Sequence, residues 1–139
     1  MGEQKKRKPK VMIIEDEEDN LILYKDYLTS KGHKVSSYLT TDNVMIDFDK
    51  ILPDISIIDH RLSGDRTGVD VATEILRKYP WSAVLFITAY EPLRNEIISN
   101  IFFKDKNIQI LIKPVKLADI ETAILNLLDK SRASYTPYS

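Results

Sequence analysis

The stretch ISIIDHRLSG, residues 55–64, begins as an apolar, largely β-branched run, stops at the acid Asp59 and passes into a polar segment that reaches Gly64. Such a run favours a strand, and its lack of strict alternation marks a strand covered on both faces. Strands of that kind belong to parallel sheets with helices packed on either side. Outward from this stretch the same unit recurs. Upstream, Val11–Ile14 is a second compact apolar run that stops at acids, and Val35–Leu39 reads as a strand. Downstream lie Ala83–Ile87 and Ile108–Ile112.

Between the strands the spacing turns helical. Leu21, Tyr24 and Leu28 place a helix over Asn20–Lys31, closed by Lys31-Gly32. Residues 42–50 form a short, weakly patterned helix. Val69, Ala72, Ile75, Leu76 and Tyr79 predict a helix over Val69–Tyr79, with Thr67 as N-cap and Pro80 beyond its end. Pro92–Phe103 reads as a helix with proline in its first turn, and Leu117–Leu128 as the last. The order is βαβαβαβαβα. It predicts an α/β fold: a five-stranded, doubly wound parallel sheet of flavodoxin-like (βα)5 type, with its site outside the C-terminal strand ends.

Composition agrees with one soluble domain. The 139 residues are 43% hydrophobic and 29% charged, enough for one sizeable core. The net charge of −1 hides an asymmetry, because Lys5, Lys6, Arg7, Lys8 and Lys10 face only Glu3 among the first ten residues. The remainder is acidic, which excludes a generally basic nucleic-acid binder. Without cysteine there are no disulfides, thiol nucleophiles or thiolate metal sites. No run approaches the roughly 18 apolar residues of a membrane helix, and the basic start followed by a short apolar run and acids is no signal peptide. A cytoplasmic location follows as the expectation. Residues 1–10 and 131–139 read as flexible tails around a domain at 11–130.

The strand ends carry the chemistry. The first strand ends in Glu15-Asp16, the third in Asp59, the fourth in Thr88 and the fifth in Lys113-Pro114. A parallel sheet delivers all of them to one edge. Three converging carboxylates call for a hard cation, and Mg²⁺ accepts oxygen ligands of this kind. A carboxylate beside it can attack phosphorus, while an ammonium and a hydroxyl hold the transferred oxygens.

Taken together, VMIIEDEEDN, ISIIDHRLSG, VLFITAY and ILIKPV, in this order and at these distances, resemble the receiver domain of two-component response regulators. The resemblance covers roughly residues 10–130. It implies that Asp59 is the phosphorylated aspartate. It implies that Asp16 binds Mg²⁺ directly, with Glu15 joining through the metal's waters and the backbone carbonyl of Arg61 as a further ligand. Thr88, Lys113 and the backbone N–H groups of His60 and Ala89 would contact the phosphoryl oxygens, and the Lys113–Pro114 bond would be cis. A sensor histidine kinase or phosphotransfer protein would be the donor, and a downstream protein would read the result.

Three features depart from the family pattern. The position three residues before the strand-five lysine, often aromatic, is Ile110, so output falls to the segment after Thr88. Arg61 and Tyr90, two residues beyond Asp59 and Thr88, are bulky where water approaches the phosphoryl group. Leu62-Ser63 replaces the common Met-Pro pair. No DNA-binding helix-turn-helix pattern follows residue 130, so direct DNA binding is not expected. Within Pro92–Phe103 a core stripe of Leu93, Ile97 and Ile101 leaves Ile98 and Phe102 as an exposed apolar edge for a partner or a phosphorylation-dependent homodimer.

Other functions fit less well. A haloacid-dehalogenase-type Mg²⁺ phosphatase or phosphotransferase needs a general-acid Asp where Arg61 stands. A flavin or nucleotide carrier needs a Gly/Ser/Thr-rich loop where Glu15–Asn20 is acidic. A degenerate receiver serving only as an interaction module has no need of the full set Asp16, Asp59, Thr88 and Lys113.

Overall fold

In the computed structural model, residues 8–134 are described, with side chains through residue 130. Five strands, β1 (Lys10–Ile14), β2 (Lys34–Tyr38), β3 (Ile55–Ile58), β4 (Ala83–Thr88) and β5 (Ile108–Ile112), form one parallel sheet in the order β2-β1-β3-β4-β5. Five helices connect and close it: α1 (Glu18–Ser30), α2 (Val44–Ile51), α3 (Gly68–Lys78), α4 (Leu93–Ile98) and α5 (Leu117–Ser134). This is the expected flavodoxin-like arrangement.

Alternation along the central strands splits the core in two. Val11, Ile13, Ile55, Ile57, Leu85 and Ile87 point toward α1 and α5, where they meet Leu21, Leu28, Ile120 and Ile124. Met12, Ile14, Ile58, Val84 and Phe86 point the other way, onto Phe48, Val71, Ile75, Leu76 and Leu93. Every residue of β3 and β4 is buried, whereas the edge strands β2 and β5 are only partly covered. Truncating a fully buried leucine here, Leu85→Ala for instance, costs about 2–5 kcal/mol.

Helix ends largely follow the sequence signals. The Thr67 hydroxyl accepts from the Asp70 N–H at 3.2 Å and the Asp70 carboxylate from the Thr67 N–H at 2.9 Å, a reciprocal capping box. Most element ends shift by one or two residues, and both tail boundaries move. Lys10 opens β1 rather than lying in a tail, paired with Lys34 of β2, while the preceding Pro9 carbonyl accepts from Lys34 N–H and Lys10 N–H donates to the Asp54 carboxylate. At the other end α5 runs six residues beyond Leu128, to Ser134, since the Asp-Lys-Ser-Arg-Ala-Ser stretch holds no helix breaker. Residues 1–7 and 135–139 of the predicted tails lie outside the described residues.

The segment after β4 is the main correction. The expected helix Pro92–Phe103 ends at Ile98. Asn100 is extended (φ −95°, ψ 112°), and Ile101–Phe103 forms a separate 3₁₀ turn in which the Asn100 side chain accepts from Phe102 N–H. The break shifts the phase of every residue beyond it. Ile101, expected in the core, is 86% exposed, and Phe103 is buried in its place. Ile98 is exposed as expected. Phe102 is partly covered: Arg77 and Lys106 lie over its ring and Phe103 meets it edge-on.

Candidate functional site

The chain order reverses direction in the sheet between β1 and β3, and the crevice at such a switch point is where ligands of doubly wound folds bind. Here β1 delivers Glu15 and Asp16, and β3 delivers Asp59. The Asp59 N–H donates to the Ile14 carbonyl at 3.1 Å and the Glu15 N–H to the Tyr38 carbonyl at 3.0 Å, so the acids sit on the last rungs of the ladder. Glu15 and Asp59 are buried and Asp16 is exposed. Oxygen atoms of the three carboxylates lie within 4.8 Å of one another.

One cation binds this cluster together. Lys113, just past the end of β5, donates from Nζ to Glu15 Oε1 and to Asp59 Oδ2, each at 3.0 Å. Its own N–H donates to the Thr88 carbonyl at 2.8 Å, and the Lys113–Pro114 bond is cis, as expected. Burial pulls the ammonium's pKa down, but the hydrogen bonds to Glu15 and Asp59 overcome it and raise the pKa above its ordinary value. Burial likewise pushes the Glu15 carboxyl up, against bonds from Lys113 and from the Glu17 N–H at 3.1 Å. Asp59 keeps its carboxylate aimed by two donors, Lys113 on Oδ2 and the Arg61 N–H on Oδ1 at 3.2 Å.

Thr88 ends β4 fully buried, and its Oγ1 accepts from the Tyr90 N–H at 3.1 Å. Ala89 follows it, exposed, as His60 follows Asp59. The ring of Tyr90 stacks on His60 at 4.9 Å, carries the Arg61 guanidinium at 5.0 Å, and donates its hydroxyl to Glu96 of α4 at 2.6 Å. That last bond holds the phenol above its ordinary pKa. Ile110 stands on the edge strand, packed against the core on the α4 side.

Sequence reading thus names the carboxylates, the lysine and the threonine that the fold brings together. It misses three contributors. Ser63 donates its hydroxyl to Asp16 Oδ2 at 3.0 Å, and the only signal was its place in the loop after β3. Glu96 anchors Tyr90, an i,i+6 relation that no helical spacing announces. Gly68 starts α3 against the back of the site: its N–H donates to the His60 carbonyl at 2.7 Å, and a Cβ there would lie 2.3 Å from the Asp59 carbonyl oxygen.

Chemically, an all-oxygen set of three carboxylates, one of them solvent-facing, fits a hard divalent cation. Among the described residues no helix is long and apolar enough to cross a membrane.

Comparisons with known proteins point the same way. Residues 11–125 match the family model described as the response regulator receiver domain. The luminescence regulatory protein LuxO of Vibrio campbellii is 24% identical over 119 residues, which are 86% of this chain and 25% of that protein. The chain therefore spans about a quarter of the length of the curated relatives it matches. Among solved structures, the CheY-like response regulator receiver domain protein of Methanospirillum hungatei superposes with a TM-score of 0.80 at 20% identity, covering 92% of this chain and 99% of that one. The response regulator TrrA of Thermotoga maritima, solved in complex with Mg²⁺ and BeF, gives 0.74 at 21% identity, covering 86% and 98%. With its family pattern matched over most of its length and its acids, threonine and lysine gathered at one sheet edge, this chain belongs to the response-regulator receiver domain family.

Proposed function

We propose that the protein is a signalling switch in which Asp59 accepts a phosphoryl group from the phosphohistidine of a sensor histidine kinase or phosphotransfer protein. The observation that carries this reading is the position of Asp59: buried, at the end of a central strand, with Lys113 on one carboxylate oxygen and two further acids within 4.8 Å. A carboxylate oxygen of Asp59 forms the new bond to phosphorus, the phosphorus–nitrogen bond of the donor breaks, and the leaving imidazole nitrogen keeps the electron pair. Asp16, Asp59, the carbonyl of Arg61 and, through water, Glu15 would hold Mg²⁺. When bound, that ion neutralises the carboxylates and the incoming phosphoryl oxygens. The Mg²⁺–BeF complex of TrrA supports this choice of metal.

Lys113 pairs with the phosphoryl group by turning its ammonium from the free carboxylate toward the new oxygens. Thr88 donates its hydroxyl to another, with the N–H groups of His60 and Ala89 completing the cradle. For Thr88 to turn, Oγ1 releases the Tyr90 N–H, which couples the chemistry to the segment leading into α4. The surface around Ile98 and Phe102 is then the face that changes its affinity for a downstream protein or a second copy. A cytoplasmic location suits a phosphohistidine donor.

Intact-mass spectrometry after incubation with acetyl phosphate and Mg²⁺ tests the reading. One added phosphoryl mass is expected, lost in Asp59→Asn and lost on chelation of the metal. An undiminished adduct in Asp59→Asn refutes the assignment.

A further inference from the structure

All five strands of the parallel sheet start at one edge, and each connecting helix brings the chain back to it. Asp59 and the run Glu15–Asp19 lie at the opposite edge, where the strands end. The two edges differ in charge. Where the strands begin, Lys8 precedes β1, Lys31 and Lys34 flank the turn into β2, and Lys50 sits in the last turn of α2. All four are exposed, and among the described residues none forms an ion pair. Acids of this edge are engaged: Asp49 takes the Lys78 ammonium at 2.7 Å and the Tyr79 hydroxyl, and Asp54 accepts from Lys10 N–H at 2.8 Å. Asp105 stands between Lys104 and Lys106.

Two large apolar side chains stand bare among these cations. Leu52, 52% exposed, follows α2 in the left-handed conformation (φ 51°), where glycine or asparagine is the usual occupant. Trp81, 55% exposed, stands just before β4. Both attach to one aromatic row. Leu52 N–H donates to the Phe48 carbonyl at 2.8 Å, the Phe48 ring packs on Tyr79 at 4.9 Å, and Tyr79 meets Trp81 edge-on at 5.9 Å.

We propose that this strand-entry edge docks on the surface of a membrane rich in anionic phospholipid. Lys8, Lys31, Lys34 and Lys50, with Lys5, Lys6 and Arg7 preceding them in the chain, meet the headgroup phosphates, and Leu52 and Trp81 enter the interface. The net charge of −1 does not oppose this. A five-residue strand spans about 16 Å, and fields fade over about 8 Å in physiological salt, so the acids of the far edge are screened from the surface. Cations alone suit any polyanion. A bare indole and a leucine among them select lipid, because the amphipathic ring settles at headgroup depth. Lys31 and Lys50 also answer the carbonyl ends of α1 and α2, a use that Lys8 and Lys34 lack. The contact is peripheral, since no helix among the described residues can cross a membrane. Docked this way the chain turns Asp59 away from the lipid, and the inference stands whether or not Asp59 accepts a phosphoryl group.

Trp81 is the only tryptophan of the chain, so its emission reports the contact directly. The full chain is titrated with vesicles of phosphatidylserine and phosphatidylcholine in equal parts, and with vesicles of phosphatidylcholine alone. A blue shift of Trp81 emission and co-sedimentation are expected with the first, both weakening with salt, and neither with the second. Lys34→Glu combined with Lys50→Glu should weaken partitioning by about tenfold or more. Leu52→Asn should weaken it severalfold without lowering the melting temperature, because asparagine tolerates the left-handed backbone. The proposal is overturned if the emission does not move with the anionic vesicles, if phosphatidylcholine binds as well, or if both variants bind like the parent chain. Co-sedimentation with unshifted emission also overturns it, since residues 5–8 alone would then make the contact. So does a shift produced by polyuridylate and not by vesicles, or one that appears with rising protein concentration alone, which would make the edge a site for nucleic acid or for a second copy.

Discussion

Gly68→Ala is the substitution whose consequence can be worked most directly from the structure. The added Cβ would lie 2.3 Å from the Asp59 carbonyl oxygen, 2.7 Å from His60 Cα and 2.9 Å from the Asp59 carbonyl carbon. All three obstacles are backbone, so no rotamer relieves them. Restoring ordinary contact means moving the start of α3 or the Asp59–His60 backbone by about 1 Å, and close-packed interiors resist such shifts at about 1–3 kcal/mol. The 2.7 Å bond from Gly68 N–H to the His60 carbonyl ties the two segments together, so neither yields alone. At roughly 3 °C per kcal/mol for a chain of this size, the melting temperature should fall by roughly 3–9 °C. Because the displaced backbone carries Asp59, acetyl-phosphate labelling should slow as well, by more than about tenfold if the carboxylate moves 1 Å. Gly64→Ala is the control: its φ of +96° imposes strain, but nothing lies within 4 Å of its Cβ, so labelling should persist. Calorimetry and intact-mass kinetics read both effects. An unchanged melting temperature together with wild-type labelling in Gly68→Ala would refute the reasoning.

Two further outcomes are expected. Asp16→Ala should lower Mg²⁺ affinity by more than about tenfold in calorimetric titration, while raising the metal-free melting temperature because one of three crowded carboxylates is gone; equal Mg²⁺ affinities would place the metal elsewhere. The Tyr38 hydroxyl, pushed up to about 12 by burial and by its 2.8 Å bond to Asp47, favours folding while protonated, so stability is full below pH 10 and falls as pH rises from 10 toward 12; Tyr38→Phe should flatten that fall in denaturant titrations, and an equal slope in both proteins would count against it.

How far the fold could be read from sequence depended on what each segment packs against. The buried strands β1, β3 and β4 announce themselves as apolar runs because both faces meet helices, and Thr67 marks the start of α3 because its capping box is local. The segment 92–103 shows where such signals end. Its apolar residues fit one continuous helix, yet the Asn100 side chain accepts from Phe102 N–H and offers the backbone an alternative to another helical turn. Burying Phe103 rather than Ile101 then decides the phase, and burial is a tertiary choice that periodicity cannot encode.

At the site the division is similar. Residues that end strands are legible, because a strand end is a local event and the parallel sheet gathers all such ends at one edge. Contacts made across the gathered loops are not. Tyr90 stood out as a bulky neighbour of Thr88, but its stacking on His60 and Arg61 and its bond to Glu96 exist only once β3, β4 and α4 are assembled. That assembly bears on what Ile110 leaves open. An aliphatic residue on β5 offers no ring to follow Thr88 inward, whereas Tyr90 is already joined to Thr88 Oγ1 through its own N–H and to α4 through its hydroxyl. If Thr88 turns toward a phosphoryl group, the first bond to break is the one that holds Tyr90. The ring then carries the change either to Glu96 or to the Arg61 guanidinium resting on it. Under the proposed switch, a route from Asp59 to the helix bearing Ile98 would pass through the residues after β4 and would need no aromatic side chain on β5.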